Sequence, residues 1–185
     1  FVFPGQCSAD DAKKIQSLVF DAFKIVPNRN HYQQVETNQL DFAAQQLLVE
    51  RGILPERHYS ERNINNPDTK LFRQYECETG LVVRTDGRVS CLVNGRDHLS
   101  ISSLAAGYNT FETWHRCREI EGVLQKSLQF AASYDFGFLT SNLMDTGSGM
   151  KASVRLFLLG LLHTQQVQKL IERVSKENCT LEPAF

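Results

Sequence analysis

The stretch Val93-Asn94-Gly95-Arg96-Asp97-His98-Leu99-Ser100-Ile101 sets a guanidinium, a carboxylate and an imidazole side by side between two apolar alternations. Arginine grips anions through a planar fork, aspartate meets cations, and histidine changes charge near neutral pH. A strand-loop-strand passage with that content looks like a site that handles a charged group. A second stretch, Asp145-Thr146-Gly147-Ser148-Gly149-Met150-Lys151, sets glycines ahead of a lysine, as a phosphate cradle would. It is not a Walker loop, because Met150 separates Gly149 from Lys151, and the G-x-S-x-G elbow of hydrolases is absent. An ordinary tight turn accounts for the same glycines. His115 and Cys117, two apart on a helix, point to different faces, and His58, Cys91 and His98 share no ligand spacing. No metal site is expected.

These residues need elements to position them. Ser8 followed by Asp11 is a capping-box pattern, and Ile15, Leu18, Val19, Ala22 and Val26 then recur at helical spacing, which predicts a helix over 9–25. Residues 31–36 read as a short strand. A second helix over 38–52 would turn Leu40, Ala43, Ala44, Leu47 and Leu48 to one face and stop at Gly52. Residues 55–72 are polar and turn-rich, a long loop of the kind that is functional or covered by a partner. Two β runs around Asp86-Gly87 make a hairpin, with Val89, Cys91 and Val93 on its one buried face. Residues 98–104 continue as a strand. A long helix over about 110–131 has Phe111, Trp114, Cys117, Ile120, Leu124 and Leu128 as its inner stripe, with Trp114 in the core. Residues 135–140 and 151–159 read as strands flanking the glycine loop. Val167, Leu170, Ile171 and Val174 mark a closing amphipathic helix within 164–178. The expected fold is α+β, a largely antiparallel sheet flanked by amphipathic helices. One domain over 1–185 is expected, with an N-terminal helical part at 1–52 and a sheet-and-helix core at 73–177.

Lysine plus arginine number 20 against 21 acidic residues, a net charge of −1, which argues against a general nucleic-acid or anionic-membrane binder. Five cysteines without a C-x-x-C pair suggest reduced thiols of an intracellular compartment, cytoplasm or organelle matrix. The longest apolar run, 156–162, is too short to span a bilayer. No secretory leader is recognisable ahead of Phe1, although a chain starting with Phe implies processing or trimming.

Taken in order, the ERHYS stretch at 56–60, the hairpin, VNGRDHLSI, the long helix, FGFLTSNLMDTGSGMKASV and the last helix together resemble the catalytic domain of the guanidino kinases. That family holds the arginine and creatine kinases and the bacterial protein-arginine kinases, the last being nearest. The similarity runs from about Phe3 to Ser175 and covers about half of a family member; the other phosphate-binding and catalytic segments would lie before Phe1 and after Phe185. The family stretch matching NGRDHLS reads Asn-Glu-Glu-Asp-His-Leu-Arg. The resemblance therefore implies that Arg96 stands where a glutamate holds the substrate guanidinium and serves as base. Gly95 replaces the other glutamate, and Ser100 an arginine on the nucleotide phosphates. Asn142 takes the position of a reactive cysteine, and Lys151 that of another phosphate-binding arginine.

General base catalysis is worth roughly 10²–10⁴-fold. A cation at Arg96 also repels a cationic guanidinium by about 4 kcal/mol at ~4 Å and an effective dielectric of ~20. The resemblance thus implies a kept fold and lost phosphotransfer chemistry, Arg96 pairing instead with Asp97, Asp145 or a partner protein. A vestigial nucleotide pocket would comprise His58, Ser100, Lys151, Ala152, Ser153, Val154 and Arg155, holding Mg-ATP weakly at most, with no other cofactor. The expected role is a structural or regulatory subunit, its partners being other chains of an assembly or an active homologue. Two alternatives stand beside it. One is a divergent ATP-dependent protein-arginine or phosphagen kinase using Asp97 or Asp145; the other is a nucleotide sensor without turnover.

Overall fold

A computed structural model describes residues 1–54, 79–177 and 179–181. The predicted loop at 55–72, with His58, lies outside the described residues. Contacts divide the chain into two compact units, Phe1–Met150 and Lys151–Phe185.

The first unit is organised by a four-stranded antiparallel sheet in the order β1 (Tyr32–Glu36), β2 (Gly80–Arg84), β3 (Val89–Val93), β4 (Leu99–Ser103). The register sets Val82 opposite Cys91 and Leu81 opposite Leu92, so the period-2 alternation sorts the apolar residues onto two faces. Val82, Val89, Cys91 and Val93 pack against helix α1 (Ala9–Ala22) and helix α3 (Thr110–Leu124), through Ile15, Val19, Ala22, Ile120 and Leu124. Leu81 and Leu92 turn the other way, onto Leu48 of helix α2 (Phe42–Glu50) and onto Ile53 and Leu54. The expected single buried face of β3 is therefore corrected: all five of its residues are buried, Ser90 and Leu92 included. Helices on both faces are the reason.

The Ser8 cap and the Gly52 stop form as the sequence predicts, while the second helix starts at Phe42, later than the expected 38. Ser8 Oγ accepts from the Asp11 amide at 3.1 Å and donates to the Asp11 carboxylate at 2.9 Å. Asp41 accepts from the Ala44 amide at 2.8 Å to start α2, and Gly52, at φ 69°, ends it. Several predicted stripes are narrower than expected. Leu18 sits just beyond the arc defined by Ala12, Ile15, Gln16, Val19 and Ala22 and is exposed, as are Ala43 and Leu47 of α2.

Helix α3 stops at Leu124 instead of 131, where Lys126 and Ser127 amides bond three residues back, to Val123 and Leu124, and tighten the last turn. Its burial is confined to the C-terminal half. Trp114 is 43% exposed and Phe111 73%; they tilt against each other at 5.7 Å between ring centroids and not into the core.

Beyond α3 the strands are minimal. β5 (Ala132–Ser133) pairs with β6 (Gly137–Phe138), and Phe138 bridges Gly147. In the second unit, residues 151–158 form no strand, which corrects the expectation for 151–159. Among the described residues they have no ladder partner, and an unpaired strand gains nothing over solvated coil. The run instead ends in a short helix α4 (Leu159–His163). Helix α5 (Val167–Ser175) follows, and Val167, Leu170, Ile171 and Val174 are its least exposed positions, as its spacing predicts. Among the described residues no helix is long and apolar enough to cross a membrane.

Candidate functional site

β3 ends at Val93 and β4 begins at Leu99, so residues 94–98 are the connection between two neighbouring antiparallel strands. Asn94 enters it in the left-handed region at φ 55°, which asparagine tolerates. Its N–H donates to the His98 carbonyl at 3.2 Å and closes the turn. The buried Asn94 side chain donates Nδ2 to Ala12 O at 2.8 Å, which fastens the loop to the first turn of α1. Its Oδ1 meets His98 Nδ1 at 3.0 Å, while His98 Nε2 faces Val2 O. His98 thus ties the loop to the N-terminal segment.

Gly95 is packed, not vacant. A Cβ there would lie 2.5 Å from Leu92 Cδ2, and Leu92 is part of the core beneath α2. Any side chain at 95 must first displace it. Arg96, next along, is exposed at the crest of the loop. Its expected ion pair does not form with either candidate: among the described residues no carboxylate lies within ion-pairing distance of its guanidinium.

Both carboxylates accept from uncharged donors instead. Asp97 Oδ1 accepts from the Ser141 amide at 2.6 Å, and Ser141 Oγ donates to the Arg96 carbonyl at 2.7 Å. These two bonds clasp the 94–98 loop to the segment after β6. Asp145 Oδ2 accepts from Asn142 Nδ2 at 2.9 Å, and Asn142 Oδ1 accepts from the Met144 amide at 3.4 Å. Asn142 is therefore a cap on the single turn Leu143–Asp145. Thr140 Oγ1 donates to Asn142 O at 2.7 Å and lies 3.1 Å from Thr146 Oγ1, closing the other side of that turn.

The structure thus brings together Gly95, Arg96, Asp97, Asn142 and Asp145 of the residues singled out by sequence. Ser100 is exposed on β4, opposite Leu92 in the register. Lys151, Ala152, Ser153, Val154 and Arg155 are exposed in the second unit. Among the described residues no three His, Cys, Asp or Glu side chains converge as metal ligands do. A shallow cleft of about 440 Å³ lined by Phe23, Lys24, Arg29, Asn30, Tyr32 and Gln34 includes none of the candidate residues.

Sequence reading missed Ser141, whose two bonds make the clasp. A serine after a strand carries no periodic signal. The Asn94-Gly95 pair, a turn dipeptide, is the signal that could have marked the start of this connection.

The family model described as ATP:guanido phosphotransferase, C-terminal catalytic domain, matches residues 14–182. A protein-arginine kinase of Desulforamulus reducens is 29% identical over all of this chain and 49% of its own length. One from Brevibacillus brevis is 28% identical over 80% of the chain and 38% of its own length. The chain spans about half the length of the curated relatives it matches along its whole length. Among solved structures, the substrate-free duplicated taurocyamine kinase of Schistosoma mansoni superposes with a TM-score of 0.73 over 95% of this chain and 24% of that one, at 24% identity. A lombricine kinase does so with a TM-score of 0.67 over 93% of this chain and 48% of that one, at 13% identity. At such identities the likeness is one of fold.

Proposed function

This chain belongs to the ATP:guanido phosphotransferase family through its C-terminal catalytic domain, and we propose that it is a non-catalytic member acting as a structural or regulatory subunit of a protein assembly. The observation that supports this reading most is the state of the carboxylates around Arg96. Where the family resemblance implies a glutamate that holds a guanidinium, this chain presents a guanidinium of its own. The two nearby acids that could take over as base, Asp97 and Asp145, are already acceptors for Ser141 and Asn142 at 2.6 and 2.9 Å. Gly95 adds to this, because a glutamate at that position would require the Leu92 side chain to shift.

Nucleotide binding is weakened by the same logic. Ser100 offers a hydroxyl where the resemblance implies an arginine, and Lys151 a point charge where it implies a bidentate fork. Each lost charge-assisted bond is worth roughly 1.5–3 kcal/mol, so ATP binds at millimolar strength or not at all.

The alternative is a divergent ATP-dependent protein-arginine kinase, which the names of the bacterial relatives favour. Radiolabelled ATP incubated with the protein and with free arginine, creatine or an arginine-rich protein separates the two readings. No transfer above a heat-treated control is expected. Transfer that Asp97→Asn or Asp145→Asn abolishes would overturn the non-catalytic reading and name the relocated base.

A further inference from the structure

His98 sits in the β3–β4 connection with an oxygen against each ring nitrogen. Nδ1 lies 3.0 Å from Asn94 Oδ1, and Nε2 meets the backbone carbonyl of Val2. Neither oxygen can donate. Val2 O is a carbonyl, and the Asn94 amide is oriented by its other end, which donates Nδ2 to Ala12 O at 2.8 Å. Turned over, the amide would set two acceptors against each other at that contact. A neutral imidazole has one N–H and one lone pair, so it can serve only one of the two oxygens. The imidazolium, with an N–H on each nitrogen, serves both.

The charges around the ring do not settle its state. Arg96 and Asp97 precede it in the loop, one of each sign. The first turns of α1, which Asn94 touches, carry Asp10 and Asp11 against Lys13 and Lys14. Residues 1–7 carry no charged side chain, and burial pushes the Cys7 thiol up, so that it stays neutral. Strands β3 and β4 carry no charged side chain either. The signs cancel, and the pair of acceptors decides. The bond to Val2 is also the one hydrogen bond among the described residues that links residues 1–3 to another element. The Phe3 carbonyl accepts from Gln6, within its own segment. The loop is held differently, through Asn94 to Ala12 and through Asp97 and the Arg96 carbonyl to Ser141, and none of these bonds needs the ring.

We propose that His98 is a proton-operated latch, which as the imidazolium straps residues 1–3 onto the 94–98 loop and as the neutral ring lets them go. The proton leaves from Nε2 and passes to water. Asn94 Oδ1 is fixed by the fold and keeps the Nδ1–H, whereas residues 1–3 have no second hydrogen bond to hold them against the lone pair left behind. Because the folded contact favours the charged ring, the latch stabilises at low pH and its contribution is lost as pH rises. The latch goes beyond the non-catalytic reading and stands or falls without it, since no nucleotide or phosphate acceptor takes part.

The test is NMR of the isotope-labelled whole chain at about pH 5.5 and about pH 8.5, either side of the range in which histidines usually titrate. At the lower pH both His98 nitrogens should carry protons, and the ring should show cross-relaxation to Val2. At the higher pH the ring should be the Nδ1–H tautomer and the cross-relaxation should be gone. The Ser141 amide should stay protected from exchange at both. His98→Phe supplies the energetic readout. The parent's lead in urea midpoint over this variant should shrink by about half or more between the two pH values, the other histidines cancelling in the difference. His98→Gln serves if His98→Phe does not fold. The proposal is overturned if the ring is neutral at the lower pH, if the contact with Val2 persists unchanged at the higher one, or if parent and variant midpoints run parallel. Loss of Ser141 protection together with the strap would also overturn it, because the loop itself would then be what the proton holds.

Discussion

β3 and residues 154–158 are five-residue runs of similar apolar content, Val-Ser-Cys-Leu-Val against Val-Arg-Leu-Phe-Leu, with opposite outcomes. β3 is a strand buried on both faces. Residues 154–158 are neither strand nor helix, and Phe157 is 88% exposed. Local composition does not separate them. What does is the supply of partners: β3 has β2 on one side and β4 on the other, and the hairpin turn delivers the first within a few residues. Among the described residues, 154–158 have no ladder at all. A β run is a request for hydrogen bonds from elsewhere in the chain, and only the ladder converts it into structure.

The sharpest way to break this comparison is to insert one charge into each run. Val93 is fully buried in the cluster shared with α1 and α3. Val93→Asp would place an unpaired carboxylate there at a cost of about 4 kcal/mol or more, a large part of a normal domain's stability. Loss of the cooperative melt, followed by circular dichroism, is the expected result. Phe157→Asp should change the stability of the protein by about 0.5 kcal/mol or less. If both variants melt alike, burial does not distinguish the two runs.

The same contrast explains what the sequence made legible. Helices α1, α2 and α5, the hairpin and β4 follow from caps, a turn dipeptide and periodicity, all local and all physically obligatory. Cys91 was legible as a buried thiol, and its burial pushes the thiol pKa up, so that it stays neutral and unreactive. Phe111 and Trp114 were misread because a stripe at helical spacing announces a face without saying how far the sheet extends beneath it. Residues 151–159 were misread because strand propensity carries no information about partners. In the site, the altered residues at 95, 96 and 142 were legible as types. The clasp was not, because Ser141 and Asp97 are 44 positions apart in sequence and meet only through the fold.

Between β6 and the glycine loop the backbone decides, not side-chain burial. Gly137 has φ 70°, and a Cβ there would stand 2.5 Å from Gly147 O, the carbonyl that accepts from the Phe138 amide at 2.8 Å. Gly137→Ala meets both the left-handed penalty and a backbone collision, costing about 2 kcal/mol. A urea midpoint that drops accordingly, with the slope unchanged, is the expected reading. An unaltered midpoint would show that this bridge carries no weight in the folded chain.

The smallest effect tests whether the turn or the ladder secures β3. Asp86 in the β2–β3 turn accepts a bidentate pair from Arg84, at 2.8 and 2.7 Å, and a bond from the Arg88 amide at 3.0 Å. The Arg84 hydrogen bonds, with the Arg88 amide and both positive charges assisting, lower the Asp86 pKa to about 2. A carboxyl group whose folded pKa lies below its unfolded value of roughly 3.9 stabilises fully above that value and loses the contribution as pH falls toward the folded one. The window is therefore about pH 4 down to pH 2. The pair is partly exposed, so solvent screening holds its worth to about 1 kcal/mol or less. Asp86→Asn should flatten the acid limb of the stability curve by that amount between pH 4 and 2 and lower stability slightly at pH 7. If the parent and Asp86→Asn curves run parallel through that window, the turn pair adds nothing and the ladder alone holds the strand.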